Sequence, residues 1–188
     1  MLSLDFSIFP ILETDRLILR EITNDHAPAL FDMRTNPNIM RYIDRPIPQS
    51  IDEVKDLIQK MATMKLSGEG ISWGIFKKDN PEVKIGNIGF YRIMPAHYRA
   101  EIGYMLHTDE HQKGIMYEAM QKVIGFGFKQ MKLHSIEANI NPENLASKKL
   151  LEKAGFVREA HFKENYYFNG KFIDSEIYSL VNKEGRIN

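Results

Sequence analysis

A loop with a single glycine leads into a helix-like pattern in the segment DEHQKGIMYEAM, residues 109 to 120. The free N–H groups and the dipole of a helix N-terminus favour a bound anion. Gly114 would also let the backbone come close to a ligand. Phosphate binding is therefore one interpretation of this loop. An ordinary turn from a strand into a helix is the other, because one glycine alone is a weak signal.

Glu101 is a candidate for proton transfer. It lies in the middle of the strand-like segment RAEIGYML and is flanked by apolar residues. A carboxylate in such a place can act as a general base if a substrate reaches it. It can also simply face solvent or form an ion pair with Arg92 or Arg99. The sequence alone leaves these alternatives open.

A second polar group lies in the segment NPENLASKKLLEKAGF, residues 141 to 156, which has the pattern of a helix. Asn144 and Ser147 are three residues apart, so they share one helix face. Asn141 is more simply explained as the N-cap, with proline at the first helical position. Gly155 suits the position after the last turn.

The segment HTDEH places His107 and His111 four residues apart with two acids between them. This spacing can bind zinc when both histidines lie on a helix and a glutamate directly follows the first. Here neither condition is met, because the segment falls where a strand ends and a loop begins. We therefore expect no metal site.

These candidate residues depend on a chain of alternating elements. The predicted strands cover residues 15–22, 71–78, 83–94, 98–106, 135–140, 160–168 and 171–181, and the predicted helices cover 25–34, 50–68, 116–131 and 141–156. Ser50 and Glu53 form a capping box, and Asn169-Gly170 marks a tight hairpin. The order predicts an α/β (α+β) domain with a mixed, mostly antiparallel sheet of about seven strands and about four flanking helices. Such a sheet often offers a ligand crevice where neighbouring strands diverge.

The composition narrows the class of protein. The length of 188 residues suits one domain, 1–188, and the 25 basic and 25 acidic residues balance, which argues against a nucleic-acid or anionic-membrane partner. The absence of cysteine excludes disulfides and thiolate chemistry and predicts a reducing, cytoplasmic location. No apolar run is long enough to span a membrane. We expect the opening MLSLDFSIFPILE to pack on the domain rather than to be a signal peptide.

Taken together, several segments resemble a known family. RAEIGYML, then HQKGIM-EAM, then INPENLASKKLLEKAGF are similar to the GNAT N-acetyltransferases, and more narrowly to the RimJ/RimL-type ribosomal-protein N-terminal acetyltransferases. TDRLILRE, IGNIGFYRI and Y-NGKFIDSEIYSL match the same subfamily. The resemblance covers residues 12 to 182. No single motif is decisive, but their order and spacing together are specific.

The resemblance implies acetyl-CoA as co-substrate, with no metal. Its pyrophosphate would bind to main-chain N–H groups of the loop formed by His111, Gln112, Lys113, Gly114, Ile115 and Met116. The family pattern has arginine or glutamine at the first of these positions and glycine or alanine at the last, so His111 and Met116 are departures. A methionine at the last position predicts a narrower approach for the coenzyme.

The same resemblance assigns the rest of the coenzyme site. The backbone of Tyr104, Met105 and Leu106 would line the pantetheine arm and polarise the thioester. Asn144 and Ser147 would lie beside the coenzyme, with Asn141 near them. Lys148 could reach a coenzyme phosphate or could belong to a solvated helix face.

Acetyl transfer requires a neutral amine, a polarised carbonyl and a proton or dipole for the departing thiolate. The resemblance implies that Glu101 is the base, acting directly or through a water molecule. Many GNAT enzymes have a tyrosine four residues after the position of Ser147, but here that residue is Leu151. Ser147 is then the best candidate acid. An ordinary exposed serine, with water as the acid, is the alternative.

We therefore predict an enzyme that moves an acetyl group directly to a primary amine, as a monomer or homodimer. The resemblance favours a protein N-terminus, as in a ribosomal protein, for the acceptor. A small-molecule amine is the first rival, and a non-catalytic acyl-CoA-binding module is the second. Tyr166 and Tyr167 could border the acceptor pocket, although packing at the sheet edge explains them more simply.

Overall fold

The computed structural model describes residue 2 and residues 4–183, which form one sheet with helices on both faces. The elements are β1 (Leu12–Glu13), β2 (Leu17–Glu21), α1 (Ala27–Thr35), α2 (Pro37–Met40), α3 (Ile51–Leu66), β3 (Ile71–Lys77), β4 (Asn80–Met94), β5 (Arg99–Leu106), α4 (Ile115–Lys129), β6 (Ser135–Ile140), α5 (Leu145–Lys153), β7 (Val157–Phe168) and β8 (Lys171–Val181). No helix of this part of the chain is long and apolar enough to cross a membrane.

The strand order in the sheet is β1-β2-β3-β4-β5-β6-β8-β7. Every neighbouring pair is antiparallel except β5 and β6, which run parallel. The predicted fold class, a mixed and mostly antiparallel sheet with flanking helices, is confirmed. The predicted counts are corrected, since the described residues form eight strands and five helices. The additional elements are β1 and α2, which are too short to produce a periodic pattern in the sequence.

Helix α3 begins and ends close to its predicted positions. The side chain of Ser50 accepts a hydrogen bond from the N–H of Glu53 at 3.3 Å. The carboxylate of Glu53 accepts from Gln49 at 3.0 Å rather than from Ser50, so only one half of the predicted capping box forms. Gly68 follows the C-cap with a φ of +71°, as a left-handed residue after the last turn.

Helix α5 begins later than predicted, at Leu145. Asn144 is the N-cap, and its side chain accepts the N–H of Ser147 at 3.1 Å. The predicted cap, Asn141, instead accepts the N–H of Glu143 at 2.8 Å within the preceding turn. The prediction was wrong because an Asn-Pro pair starts a turn as readily as it starts a helix. Gly155 does follow the helix end, with a φ of +93°.

Two hydrophobic cores lie on opposite faces of the sheet. The larger core contains the buried faces of α4 and α5, and the buried Leu2, Phe6 and Leu12 pack into it. The predicted packing of the leading segment is therefore confirmed for its described residues. The smaller core lies under α1, α2 and α3 and includes Met105 of β5. Because side chains alternate along a strand, β5 contributes to both cores.

Strands β5 and β6 separate soon after they begin. They pair only where Arg99–Glu101 face Ser135–Glu137. Beyond that point β5 stays paired with β4 as far as Leu106, while β6 stays paired with β8 as far as Ile140. The two strands therefore bound a wedge, which we call the strand cleft, between residues 102–106 and residues 138–140. The sequence predicted a crevice at diverging strands, and this pair forms it.

Strand β7 forms one edge of the sheet, and nearly all of its residues are exposed. Its pairing with β8 is interrupted by register shifts between Arg158 and Ala160 and between Phe162 and Tyr166. The hairpin turns at Asn169 and Gly170, whose φ angles of 48° and 80° confirm the predicted tight turn.

Candidate functional site

The loop of residues 111–116 enters α4 through two left-handed residues. Gly114 is the N-cap of α4 with a φ of +75°, and Gln112 has a φ of +60°. In the described part of the chain, no hydrogen bond uses the N–H groups of residues 112 to 117. A Cβ atom at Gly114 would meet only Arg16, at 3.6 Å, so the space in front of the loop is open. Unpaired N–H groups in this geometry form an anion-binding concavity.

The side chains of this loop point in different directions. Residues 111–114 are exposed, whereas Ile115 and Met116 are buried in the larger core. The expectation that Met116 narrows the approach to the loop is wrong, because its side chain is turned inward. His111 Nε2 lies 3.1 Å from the carbonyl oxygen of Leu106, and Lys113 Nζ donates to Glu110 at 3.2 Å. The exposed surface of the loop is therefore mainly backbone.

Arg16, just before β2, contacts this loop from the side of the sheet edge. Its Nη1 donates to the carbonyl oxygen of Lys113 at 3.1 Å, and its Nε donates to Glu118 at 2.7 Å. Thr14 Oγ1 also donates to Glu118, at 2.5 Å. Residues 16 and 118 are 102 positions apart in the chain, so no local pattern could pair them. Arg16 lies in the segment TDRLILRE, which by itself indicates no contact with this loop.

Along the strand cleft, alternate peptide groups of β5 face opposite neighbours. The N–H of His107 donates to Ile85 of β4 at 2.8 Å. By strand alternation, the peptide groups of Met105 also face β4, while those of Tyr104 and Leu106 face the cleft. Of the three residues predicted to line the coenzyme arm by their backbone, only Tyr104 and Leu106 present peptide groups there. Met105 instead packs its side chain into the smaller core.

Tyr104 and Ser147 meet across the cleft. The Tyr104 hydroxyl lies 2.5 Å from Ser147 Oγ, which connects β5 with the first turn of α5. Ser147 is only 7% exposed, so the alternative of an ordinary exposed serine is wrong. Burial raises the pKa of Tyr104 to about 12 despite its hydrogen bond with Ser147, so the phenol stays protonated at neutral pH. Leu151 is fully buried and only packs.

Glu101 lies where β5 and β6 part, since it is the last β5 residue paired with β6. Its Oε2 lies 2.7 Å from Arg92 Nη2, and its side chain is 26% exposed. The ion pair with Arg92 that the sequence left open is thus present. Arg92 also contacts the buried Glu137 at 3.2 Å, and Arg99 forms a further ion pair with Glu137. Among residue 2 and residues 4–183, Oε1 of Glu101 has no hydrogen-bond or ion-pair partner.

The face of β5 that carries Glu101 also carries Gly103, whose missing side chain makes room for Tyr91. A Cβ atom at Gly103 would come within 2.9 Å of the Tyr91 ring. The Tyr91 hydroxyl accepts from Asn87 Nδ2 at 2.9 Å and lies 3.2 Å from Ser72 Oγ. Asn87 Oδ1 is buried without a hydrogen-bond partner among the described residues. Polar groups therefore lie beside Glu101 on this face, opposite the face that carries Tyr104.

Other predicted residues lie elsewhere. Lys148 Nζ is 3.0 Å from the buried Glu176, so its charge is already paired. The Tyr166 hydroxyl donates to the carbonyl oxygen of Asp44 at 3.5 Å, which joins the β7–β8 hairpin to the segment between α2 and α3. Tyr167 is largely exposed at the hairpin.

His107 and His111 have separate partners and do not converge. The ring of His107 faces Asp32 and Asp109, while His111 faces a backbone carbonyl. Over residue 2 and residues 4–183, no three side chains of the types that bind metals gather at one place. The histidine pair therefore has the contacts of two surface residues.

Comparisons with known proteins agree with this geometry. Residues 16–157 match the family model described as acetyltransferase (GNAT) domain. The protein named Uncharacterized N-acetyltransferase YoaA, from Bacillus subtilis, is 40% identical over a match that spans 93% of this chain and 98% of that protein. The ribosomal protein uS5-alanine N-acetyltransferase of Escherichia coli is 28% identical, with 90% of each chain covered. The solved structure of RimL, a ribosomal alpha-N-protein acetyltransferase in complex with coenzyme A, superposes with a TM-score of 0.83 at 22% identity, covering 92% of this chain and 98% of that chain.

Proposed function

This chain belongs to the acetyltransferase (GNAT) family, and on that premise we propose that it transfers acetyl directly from acetyl-CoA to the α-amine of a protein N-terminus. The family match and the named N-acetyltransferases among its relatives make it an acetyl-CoA-dependent enzyme. The acceptor and the roles of individual residues are the proposal. The observation that carries it is the strand cleft, with Glu101 where its strands part and a loop of unpaired N–H groups at its wide end.

The coenzyme would lie along this cleft. The N–H groups of the 111–116 loop would hold the pyrophosphate, since an anion fits a helix N-terminus without side-chain help. The peptide groups of Tyr104 and Leu106 that face the cleft would hold the pantetheine arm. Asn144 would support this arrangement indirectly, because its side chain holds the first turn of α5 in place for Ser147.

In the proposed reaction, the amine nitrogen attacks the thioester carbonyl carbon and loses a proton to Oε1 of Glu101, directly or through one water molecule. The bond between carbon and sulfur breaks as the amide forms. Ser147 Oγ donates a hydrogen bond to the departing thiolate, which takes its proton there or from solvent. No enzyme thiol takes part, because the chain has no cysteine.

A protein N-terminus fits the properties of this base. An α-amine titrates at about 7.7–8.0 and a lysine amine at about 10.4, so an α-amine needs far less help at neutral pH. The ion pair with Arg92 engages Oε2 of Glu101, so the proposed base acts through Oε1. The named activity of the uS5-alanine relative supports the same class of acceptor. Because such acceptors are made in the cytoplasm, a cytoplasmic location belongs to this proposal.

A small-molecule amine is the alternative acceptor, because one fold hosts many functions. One observation favours the small-molecule acceptor: Asn87 Oδ1 is buried without a partner among the described residues, and a compact polar substrate could donate a hydrogen bond to it. A peptide acceptor would leave most of its contacts to the exposed surface around the cleft.

The test is a screen of acetyl-CoA consumption against N-terminal peptides and small amines in one assay, read by the release of free thiol. We expect peptides with a free α-amine to be turned over and the same peptides with a blocked N-terminus to be inert. Turnover of small amines alone would replace the proposed acceptor by the alternative. No turnover with any amine would count against Glu101 as a base.

A further inference from the structure

Glu118 is an anion in the first turn of α4, immediately beside the loop proposed to bind pyrophosphate. A carboxylate is normally favourable at a helix N-terminus, because it meets the positive end of the dipole. Here it would also oppose a second anion bound at the same place. Its side chain is 21% exposed, so solvent does not fully screen its charge. Some other group must offset Glu118 if the loop is to bind phosphate.

Arg16 has the contacts to do so. Its Nε and Nη2 lie 2.7 Å and 2.6 Å from the same carboxylate oxygen, Oε2 of Glu118, so this ion pair has two short contacts between charged groups. Oε1 of Glu118 accepts from Thr14 Oγ1 at 2.5 Å and from the N–H of Arg16 at 3.0 Å. Burial would raise the pKa of Glu118, but these hydrogen bonds and the charge of Arg16 outweigh it and hold the pKa low. The carboxylate is thus ionised and fully engaged.

The same guanidinium also orients the loop. Arg16 Nη1 donates to the carbonyl oxygen of Lys113 at 3.1 Å. In a trans peptide the carbonyl and the next N–H point in opposite directions. The N–H of Gly114 therefore points away from Arg16, toward the open side of the loop. Arg16 Nη2 lies only 3.6 Å from the position of a Cβ atom at Gly114, so its positive charge lies beside the backbone of the loop.

We propose that Arg16 is a positioning residue for acetyl-CoA, which offsets the charge of Glu118 beside the 111–116 loop and so lets that loop accept the pyrophosphate. This inference rests on the proposed function, because it assumes that the loop binds the coenzyme. It goes beyond it by assigning a role in coenzyme affinity to Arg16, which lies 102 positions from Glu118 in the chain. The same contact would let Glu118 and a bound pyrophosphate share the N-terminal turn of α4.

The test compares Arg16→Ala, Glu118→Gln and the double variant by calorimetric titration with coenzyme A. We expect Arg16→Ala to weaken binding about tenfold, the size expected for one partly buried charge at a helix N-terminus. The double variant should recover to within about threefold of the wild-type affinity, because the unopposed carboxylate is then also removed. Arg158→Ala is the matched control, since Arg158 is 55% exposed against 51% for Arg16 and also pairs with a glutamate.

A second measurement separates positioning from general stability. Turnover with acetyl-CoA should show a raised KM and a smaller change in kcat for Arg16→Ala. Turnover with S-acetyl-pantetheine, which lacks the pyrophosphate, should be unaffected. Equal losses with both acetyl donors, wild-type affinity in Arg16→Ala, or a double variant as weak as Arg16→Ala would each overturn the proposal. If wild-type protein itself did not bind coenzyme A, the proposed function would fail instead.

Discussion

The two halves of strand β5 differ in their neighbours, although they form one continuous backbone. The first half, Arg99–Glu101, is paired with strands on both sides, and charged side chains link it to its neighbours. The second half, residues 102–106, is paired only with β4 and leaves alternate peptide groups facing the strand cleft. We call residues 99–101 the closed half and residues 102–106 the open half. In the closed half the polar contacts are made by charged side chains, whereas in the open half main-chain N–H and C=O groups face the cleft.

This difference shows how one strand can serve both sides of a reaction. Residues 101, 103 and 105 belong to one face of β5, while Tyr104 belongs to the other. The proposed base and the proposed acid contacts therefore lie on opposite faces of β5, with the cleft between them. A reaction centre at the junction of the halves would receive the amine from one face and release the thiolate toward the other.

The largest expected effect comes from the junction itself. Glu101→Gln keeps the shape of the side chain but cannot accept a proton, so turnover should fall by about 10²–10⁴-fold. Acetyl-CoA affinity, measured by calorimetry, should stay near wild type. The loss should shrink as pH rises toward the pKa of the acceptor amine, because more of the amine is then neutral without a base.

Glu137→Gln is the matched control on the neighbouring strand β6, because Glu137 shares Arg92 with Glu101 but is buried and is also paired with Arg99. We expect it to lower the thermal midpoint more than it lowers turnover per folded molecule. Unaltered turnover of Glu101→Gln across pH would remove the proposed base and reduce this end of β5 to a structural ion-pair network.

The next effect tests the wide end of the cleft. Gly114→Val should weaken coenzyme A binding by on the order of tenfold or more, because a β-branched residue is strained at positive φ and would disturb the N–H groups of the loop. Gln112→Ala should change affinity little, since its side chain is exposed and the proposed contacts are main-chain ones. Unchanged affinity in folded Gly114→Val would place the coenzyme phosphates elsewhere.

A smaller effect is expected at the hydroxyl pair that spans the cleft. Ser147→Ala should lower kcat several-fold, more than it changes KM, because its hydroxyl is proposed to act only as the thiolate leaves. Tyr104→Phe removes the 2.5 Å contact and should reproduce part of that loss. Solvent isotope effects on kcat would report the proton transfer. A kcat equal to that of the wild type in both variants would mean that water alone protonates the departing thiolate.

The smallest effect on turnover is expected at Lys84, on β4 near the open half. Its amine is buried against Met33, no carboxylate of the described residues pairs with it, and burial lowers its pKa to about 7. Because the folded pKa lies below the unfolded value near 10.5, the unfolded chain binds more protons between these values, and this group makes folding less favourable as pH falls from about 10.5 to 7.

Lys84→Met should therefore stabilise the protein at pH 7, by up to a few kcal/mol, with a gain that declines as pH approaches 10. Urea unfolding at several pH values measures this trend. A gain that does not depend on pH would show that packing, and not the buried amine, is responsible. Turnover should not change. Lys84 would then affect stability alone, whereas Glu101 in the closed half is expected to affect turnover.

The sequence predicted best what is decided locally. Strand β6 has the predicted bounds. The predicted hairpin turn at Asn169-Gly170 is present, and both residues have left-handed backbone angles. The predicted start of α5 was wrong because two asparagines in the same segment can each begin a turn. Local patterns also indicated the divergent sheet, although they could not say that β5 and β6 would be the strands that separate.

The parts of the site that the sequence missed depend on contacts between distant residues. Arg16 and Glu118 are 102 residues apart, and Tyr104 and Ser147 are 43 residues apart. Neither pair has a periodic or spacing signal, because only the folded sheet brings them together. Met116 shows the reverse case. The sequence predicted that its side chain would narrow the approach to the loop, but the side chain is buried in the larger core. Its direction follows from the start of α4, which no single motif fixes.

Strand β7 has a consequence for how the protein behaves when concentrated. An exposed edge strand offers a row of backbone groups to which another chain can add, and this one also exposes Phe162 and Tyr167. The two register shifts bend the strand, and Glu164, with a φ of 51°, lies within the second. The kinks interrupt any continuous ladder that a neighbour could build. We therefore expect the irregular edge to disfavour the addition of another chain as a further strand.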